Sequence, residues 1–262
     1  MLRINITKGE KFAKKVLNAY KNGFLGSLDN PNVWKFSPPS KAKTKEDKFR
    51  YLFYILCVDY GMRAAKLFER AKVFYDKNKD LFNPFYLKNF SVQTLENILR
   101  KNLKLRFPKQ GAIRWIENSK RIIKFSNGSF SDFFKRNLTA EEFVLEIKKF
   151  YGFGEKLARL LLRVLVDLNL IKKPKGYDLI PMPIDIHDVK LAFRSGLLSG
   201  ETPNYSKHSK IAREAWTKAC LKARLSPMDV DKALWTLGAN FCYFKKCLNC
   251  PMSDLCNKKF LN

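Results

Sequence analysis

Apolar residues in this chain recur at spacings of three and four, and almost no run alternates with period two. A half-buried strand needs alternation, and a helix needs an apolar stripe, so the fold class expected is all-α. Tyr51 to Tyr75 reads as one long apolar helix, or as two shorter ones broken at Gly61. Ser91 caps a helix over 92–103, with Val92, Leu95, Ile98 and Leu99 on one face. A helix over about 111–124 is expected to stop before the Ser126-Asn127-Gly128 turn. Thr139-Ala-Glu-Glu142 is a capping box that opens a helix to about Phe150, and a further helix runs from Glu155 to about Asn169. Ser226-Pro227 starts another, with proline at the first helical position, leading to Gly238.

Two segments interrupt this series. Residues 26–45 carry Pro31, Pro38 and Pro39 and read as an extended entry loop. Residues 172–184 hold three prolines and Gly176 and read as a connector between helical halves. The expected organisation is a helical domain over 46–171 and a second lobe made of 1–45 with 172–262.

Charge narrows the partner. Lysine and arginine total 51 against 24 acidic residues, a formal charge of +27. An excess of that size opposes compaction and points to an anionic partner, nucleic acid before an acidic membrane surface. The most apolar stretch, Leu157 to Ile171, is broken by Arg159, Arg163 and Asp167, so a lipid span is not expected. The first fifteen residues lack an apolar h-region, which points to a cytoplasmic, nucleoid-associated protein with no membrane partner. In such a compartment cysteines serve more often as metal or redox groups than as disulfides.

Three local signals carry chemistry. Cys242, Cys247, Cys250 and Cys256 lie within fifteen residues, and four thiolates that close suit one soft inorganic centre. Spacing alone leaves zinc and a [4Fe–4S] cluster equally open. Lys245 and Lys246 lie in the first interval, where they could meet a phosphate. Cys57 and Cys220, on apolar helical faces, read as core thiols. The second signal is Tyr151-Gly152-Phe153-Gly154-Glu155-Lys156, set between two helices. Its glycines permit a tight hairpin, and the helix N-terminus that follows attracts a phosphate. Most such turns only connect. The third is Pro183-Ile-Asp-Ile-His187, where Asp185 reads either as an N-cap or as a carboxylate in a partly apolar cleft. His187 beside it reads as structural or as a proton shuttle. Aromatics along 51–75 and near Trp115 read mostly as core, with a few left to stack on a base.

In combination these pieces resemble the helix-hairpin-helix DNA glycosylase superfamily, in particular its endonuclease III branch. Phe150-Tyr-Gly-Phe-Gly-Glu-Lys-Leu-Ala158 is similar to the family's Leu-Pro-Gly-Val-Gly-Arg-Lys-Thr-Ala hairpin. Pro183-Ile-Asp-Ile-His187 is similar to Pro-Val-Asp-Val-His, and Trp235-Thr-Leu-Gly238 to the helix that leads into the cluster loop. The resemblance implies two helical lobes with an active site in the cleft between them. It implies Lys156 as the sugar-attacking lysine, Asp185 as the essential aspartate, and the four cysteines as [4Fe–4S] ligands, with zinc the alternative. It further implies double-stranded DNA with a damaged base as substrate, gripped at Gly152, Phe153, Gly154, Lys245 and Lys246, and a monomeric bifunctional glycosylase and lyase. A monofunctional glycosylase, or a non-catalytic nucleic-acid-binding protein with structural zinc, are the competing classes.

The chain also departs from that pattern. Cys242 and Cys247 enclose four residues where the family has six. Tyr151 replaces the hairpin proline, and Asp59 stands where endonuclease III has a glutamine. The interval from Lys156 to Asp185, with Ser195-Gly196-Leu197 downstream, instead resembles archaeal 8-oxoguanine glycosylases, which lack the cluster.

Overall fold

A computed structural model describes residues 1–26 and 36–257. Pro31 and most of the first half of the entry loop lie outside the described residues. The chain divides into two compact units, Met1–Val33 with Gly176–Asn262, and Trp34–Lys175. Twelve α-helices are described. The first is α1 (Ile6–Lys21); α2 (Lys45–Leu56), α3 (Ala64–Lys77), α4 (Pro84–Leu87) and α5 (Val92–Leu103) follow. Next come α6 (Pro108–Ser126), α7 (Phe130–Phe134), α8 (Ala140–Lys148) and α9 (Glu155–Asp167). The last three are α10 (Ile186–Arg194), α11 (Tyr205–Lys222) and α12 (Pro227–Leu237).

The helical expectation holds with one addition. Arg3–Ile4 (β1) pairs antiparallel with Leu198–Ser199 (β2), Arg3 opposite Ser199 and Ile4 opposite Leu198. Two residues per strand are too few for an alternating pattern to show in the sequence. Among the described residues no helix is long and apolar enough to cross a membrane.

The 34–175 unit is built on aromatics. Tyr51, Phe53, Tyr54, Phe82, Trp115 and Phe130 are fully buried. Phe53 meets Phe130, Phe150 and Phe153 with ring centroids 5.0, 5.0 and 4.9 Å away. Buried polar tips need partners, and they have them. The Trp115 indole donates to the Tyr54 carbonyl at 2.8 Å, and the Tyr54 hydroxyl lies 2.6 Å from Ser119 Oγ. The chain breaks between α2 and α3 at Gly61, whose φ is +67°. The long α6 starts at Pro108 and ends on left-handed Asn127, two devices that set a helix's limits.

In the other unit α1, α10, α11 and α12 enclose Phe12, Val16, Leu191, Phe193, Trp216 and Leu234. The N-cap residues Asn5, Thr44, Ser91, Thr139, Asp185 and Asn204 each accept a backbone N–H from the first turn of their helix. The α9 helix has no such cap: Gly154 precedes it and offers no side chain.

Candidate active site

The hairpin between α8 and α9 is held from three sides. Asn118, fully buried on α6, grips Tyr151 twice: its Nδ2 donates to the Tyr151 carbonyl at 2.9 Å, and its Oδ1 accepts the Tyr151 N–H at 2.8 Å. The Arg121 guanidinium lies 4.2 Å from the centre of the exposed Tyr151 ring. At the hairpin's far end Glu155 is engaged by Lys148 and, at 2.5 Å, by Arg159. Asn118 was invisible to sequence reasoning, because a buried asparagine on an apolar helix carries no motif.

The two hairpin glycines differ in kind. Gly152 has φ of +88°, and a Cβ there would lie 2.3 Å from the Cys57 carbonyl oxygen. The fold itself therefore demands glycine at 152. Gly154 has φ of −84° and a Cβ would meet nothing within 4 Å, so the fold makes no such demand there. It leaves an exposed, side-chain-free approach to the uncapped first turn of α9, whose N–H groups have no side-chain acceptor. The Phe153 ring is core, 4% exposed against Phe53, so only its main chain can face a ligand.

Lys156 occupies the second position of α9 and is half-buried. Its neighbour Glu155 is taken up by Lys148 and Arg159, and Lys156 itself has no ion-pair partner among the described residues.

Beside the hairpin the same unit opens a cavity of about 230 Å³, with Tyr60, Arg106, Phe107, Gln110 and Arg114 on its walls. Tyr60 and Phe107 are exposed, their centroids 5.9 Å apart, and the Arg106 guanidinium lies 5.3 Å from the Phe107 ring. Arg114 joins cavity to hairpin by donating to the Cys57 carbonyl at 3.0 Å, the oxygen that excludes a side chain at 152. Tyr60 falls among the 51–75 aromatics considered for stacking, and the other four were not singled out from sequence. The available signal was an aromatic beside a helix break, Tyr60-Gly61 and Phe107-Pro108.

Asp185, in the other unit, is the N-cap of α10. Its Oδ1 accepts the N–H of His187 at 2.7 Å and of Asp188 at 3.2 Å. Asp188 returns the bond, its Oδ2 accepting the Asp185 N–H at 2.7 Å. Asp188 is fully buried, and burial, then the charges of Asp185 and Asp231, push its carboxyl well above the usual carboxylate range. His187 packs on Gly238, the C-cap of α12, where a Cβ would stand 2.9 Å from His187 Cβ and 3.1 Å from its Nδ1. The glycine ending Trp235-Thr-Leu-Gly238 thus makes room for the histidine of the Asp185 segment.

Cys242, Cys247, Cys250 and Cys256 line one small pocket with Phe241, Lys246 and Ser253. Burial raises the Cys242 thiol, with Arg194 pulling it down and Cys250 and Cys247 pushing it up. Cys256 is pushed up to about 11, by burial first and then by Cys242. Four soft donors that feel one another's charge are chemically the set that an iron–sulfur cluster or zinc selects. Among the described residues no three His, Cys, Asp or Glu side chains are drawn in to hold a metal ion. Lys245, at φ of +54°, and Lys246 are both exposed at the rim. Cys57 and Cys220 are buried core thiols.

No family model matches the sequence, and neither does any curated protein. Solved structures do match. A thermostable thymine-DNA glycosylase is similar over 95% of both chains, with a TM-score of 0.57 at 17% identity. The 8-oxoguanine DNA glycosylase of Pyrobaculum aerophilum, solved with 8-oxoguanosine, matches 94% of this chain and 96% of its own, with a TM-score of 0.58 at 13% identity. The chain therefore has the fold of these two DNA glycosylases.

Proposed function

We propose that this protein is a base-excision-repair DNA glycosylase with an associated lyase activity, and that Lys156 is its nucleophile. The observation that carries the reading is the state of Lys156. It follows an uncapped, side-chain-free helix start, and the adjacent carboxylate is committed to Lys148 and Arg159 rather than to it.

A base inside a duplex must first be unstacked and turned out. The first-turn N–H groups of α9 would hold one phosphate, and the surrounding basic surface the rest of the backbone. The Tyr60 and Phe107 rings, with Arg106 beside them, would receive an unpaired base by stacking. Lys156 Nζ then attacks C1′ of the sugar as its neutral amine. The C1′–N bond breaks, its electron pair leaving with the base. Asp185, held in orientation by its cap bonds, would stabilise positive charge on the sugar as the base departs, and the lysine nitrogen gives up its proton to solvent. Ring opening gives an iminium, and loss of a C2′ proton expels the 3′ phosphate. The thiols of Cys242, Cys247, Cys250 and Cys256 would hold a [4Fe–4S] cluster that fixes the loop presenting Lys245 and Lys246; zinc is the alternative. Likeness to an 8-oxoguanine glycosylase favours an oxidised base as substrate.

Borohydride trapping tests the reading on duplexes carrying 8-oxoguanine, thymine glycol or an abasic site. A covalent adduct is expected with the wild type and none with Lys156→Ala. Base release without trapping would make the protein a monofunctional glycosylase, with Lys156 a phosphate contact. Binding with no release would leave a non-catalytic DNA-binding protein.

A further inference from the structure

Asp188 is a buried acid that the mechanism above does not use. It stands at the third position of α10, beneath the helix start that Asp185 caps, and it is 0% exposed. One of its oxygens accepts the Asp185 N–H at 2.7 Å; the other, Oδ1, is buried with no hydrogen-bond partner. The groups whose charge it meets are carboxyls: Asp185 on its own element, and Asp231, 3% exposed, on α12. From α11 the uncharged indole of Trp216 donates to the Asp188 main-chain carbonyl at 3.1 Å. An ionised carboxylate so placed, with one oxygen unbonded, would cost far more than a neutral one.

We propose that Asp188 is a positioning residue for Asp185: a carboxylic acid that keeps its proton at neutral pH, orients Asp185 through their reciprocal hydrogen bonds, and so leaves Asp185 as the ionised member of the pair. Its oxygen Oδ2 serves as acceptor for the Asp185 main chain, and Oδ1 carries the proton. The arrangement divides two neighbouring carboxyls into one neutral and one charged, as pairs in contact must be. It rests on the proposed role of Asp185 in excision.

Asp188→Asn keeps the shape and the acceptor but cannot ionise. Single-turnover base excision is measured across pH for wild type, Asp188→Asn and Asp231→Asn, with thermal unfolding of each over pH 4 to 8. The wild-type rate should fall on the alkaline side as Asp188 loses its proton and a second charge appears behind Asp185. Asp188→Asn should hold its neutral-pH rate within about threefold and lose that alkaline fall. Asp231→Asn removes a repelling charge, so its fall should move to lower pH. In unfolding, a carboxyl whose folded value is raised is penalised as pH climbs above the unfolded value, about 3.9. The advantage of Asp188→Asn over wild type should therefore grow with pH above about 4. A pH-independent stability difference would overturn the neutral acid. An alkaline fall unchanged in Asp188→Asn, or a rate loss as deep as that of Asp185→Asn, would overturn the positioning role. No excision by the wild type on any lesion would instead refute the glycosylase reading, whatever the unfolding series gave.

Discussion

The two hairpin glycines allow a test in which stability and function separate. Gly152→Ala places a Cβ 2.3 Å from the Cys57 carbonyl oxygen and 3.2 Å from its carbon, and both atoms are main chain. Neither can swing aside as a side-chain end would. Overpacking of this kind costs about 1–3 kcal/mol. The φ of +88° adds about 1–2 kcal/mol for an L-residue. Together they give roughly 2–5 kcal/mol, a large share of a domain's stability of about 5–15 kcal/mol. Gly154→Ala meets no atom and keeps an ordinary φ, so only the poorer N-cap remains, about 0.5–1 kcal/mol. Urea unfolding should show the first midpoint well below the second with similar slopes. Fluorescence anisotropy on an abasic duplex should then show Gly154→Ala bound more weakly than wild type although it is folded. A Gly152→Ala protein within 1 kcal/mol of wild type, or as stable as Gly154→Ala, would refute the steric account. Unchanged affinity in Gly154→Ala would remove the α9 N-terminus from the phosphate grip.

Asn118→Ala deletes both bonds to Tyr151 and should cost about 2–4 kcal/mol in urea unfolding; a loss under 1 kcal/mol would mean the hairpin is held elsewhere. Asp185→Asn should reduce single-turnover excision by roughly 10²–10⁴-fold with DNA affinity kept, and an unchanged rate would count against its role. Lys245→Ala and Lys246→Ala should each lower the salt slope of DNA binding by about one, and a slope that does not move would take that rim off the DNA. Cys57 and Cys220 are fully buried while the other four cysteines are partly exposed, so in metal-stripped folded protein a thiol reagent should label those four first; equally fast labelling of six would contradict the buried assignment.

What the sequence disclosed followed from how local the cause was. Caps are local, so Ser91, Thr139 and the Pro227 start were legible, and the break between α2 and α3 fell beside Gly61. The α1 and α11 helices were not singled out, although each opens on an asparagine cap. Their N-caps, Asn5 and Asn204, are not followed by the carboxylate that marks a capping box, and lysines interrupt their apolar faces. The hairpin, Asp185 and the cysteines announced themselves because each is a short run of unusual residues. Asn118, Arg114 and the Tyr60–Phe107 cavity did not, because their meaning lies in partners dozens of residues away.

The same distinction bears on the glycines and aspartates of the two units, each taken by itself. A glycine is uninformative until the atom that its absent Cβ would strike is known. At 152 that atom is a carbonyl of α2's C-cap, at 238 it is His187, and at 154 there is none. Two of the three are therefore accounted for by packing, and the third is left to be accounted for by what approaches from outside. Asp188 obeys the converse logic. By its third-position bond to the Asp185 N–H it is an ordinary capping-box member, a role glutamate or glutamine fills with its head in water. Here the shorter side chain draws the carboxyl under the helix, where water does not reach it and two other carboxyls do. Folding gains nothing from that burial, since a neutral amide would cap as well. In the proposed mechanism that cost is assigned to orienting Asp185, the residue it touches.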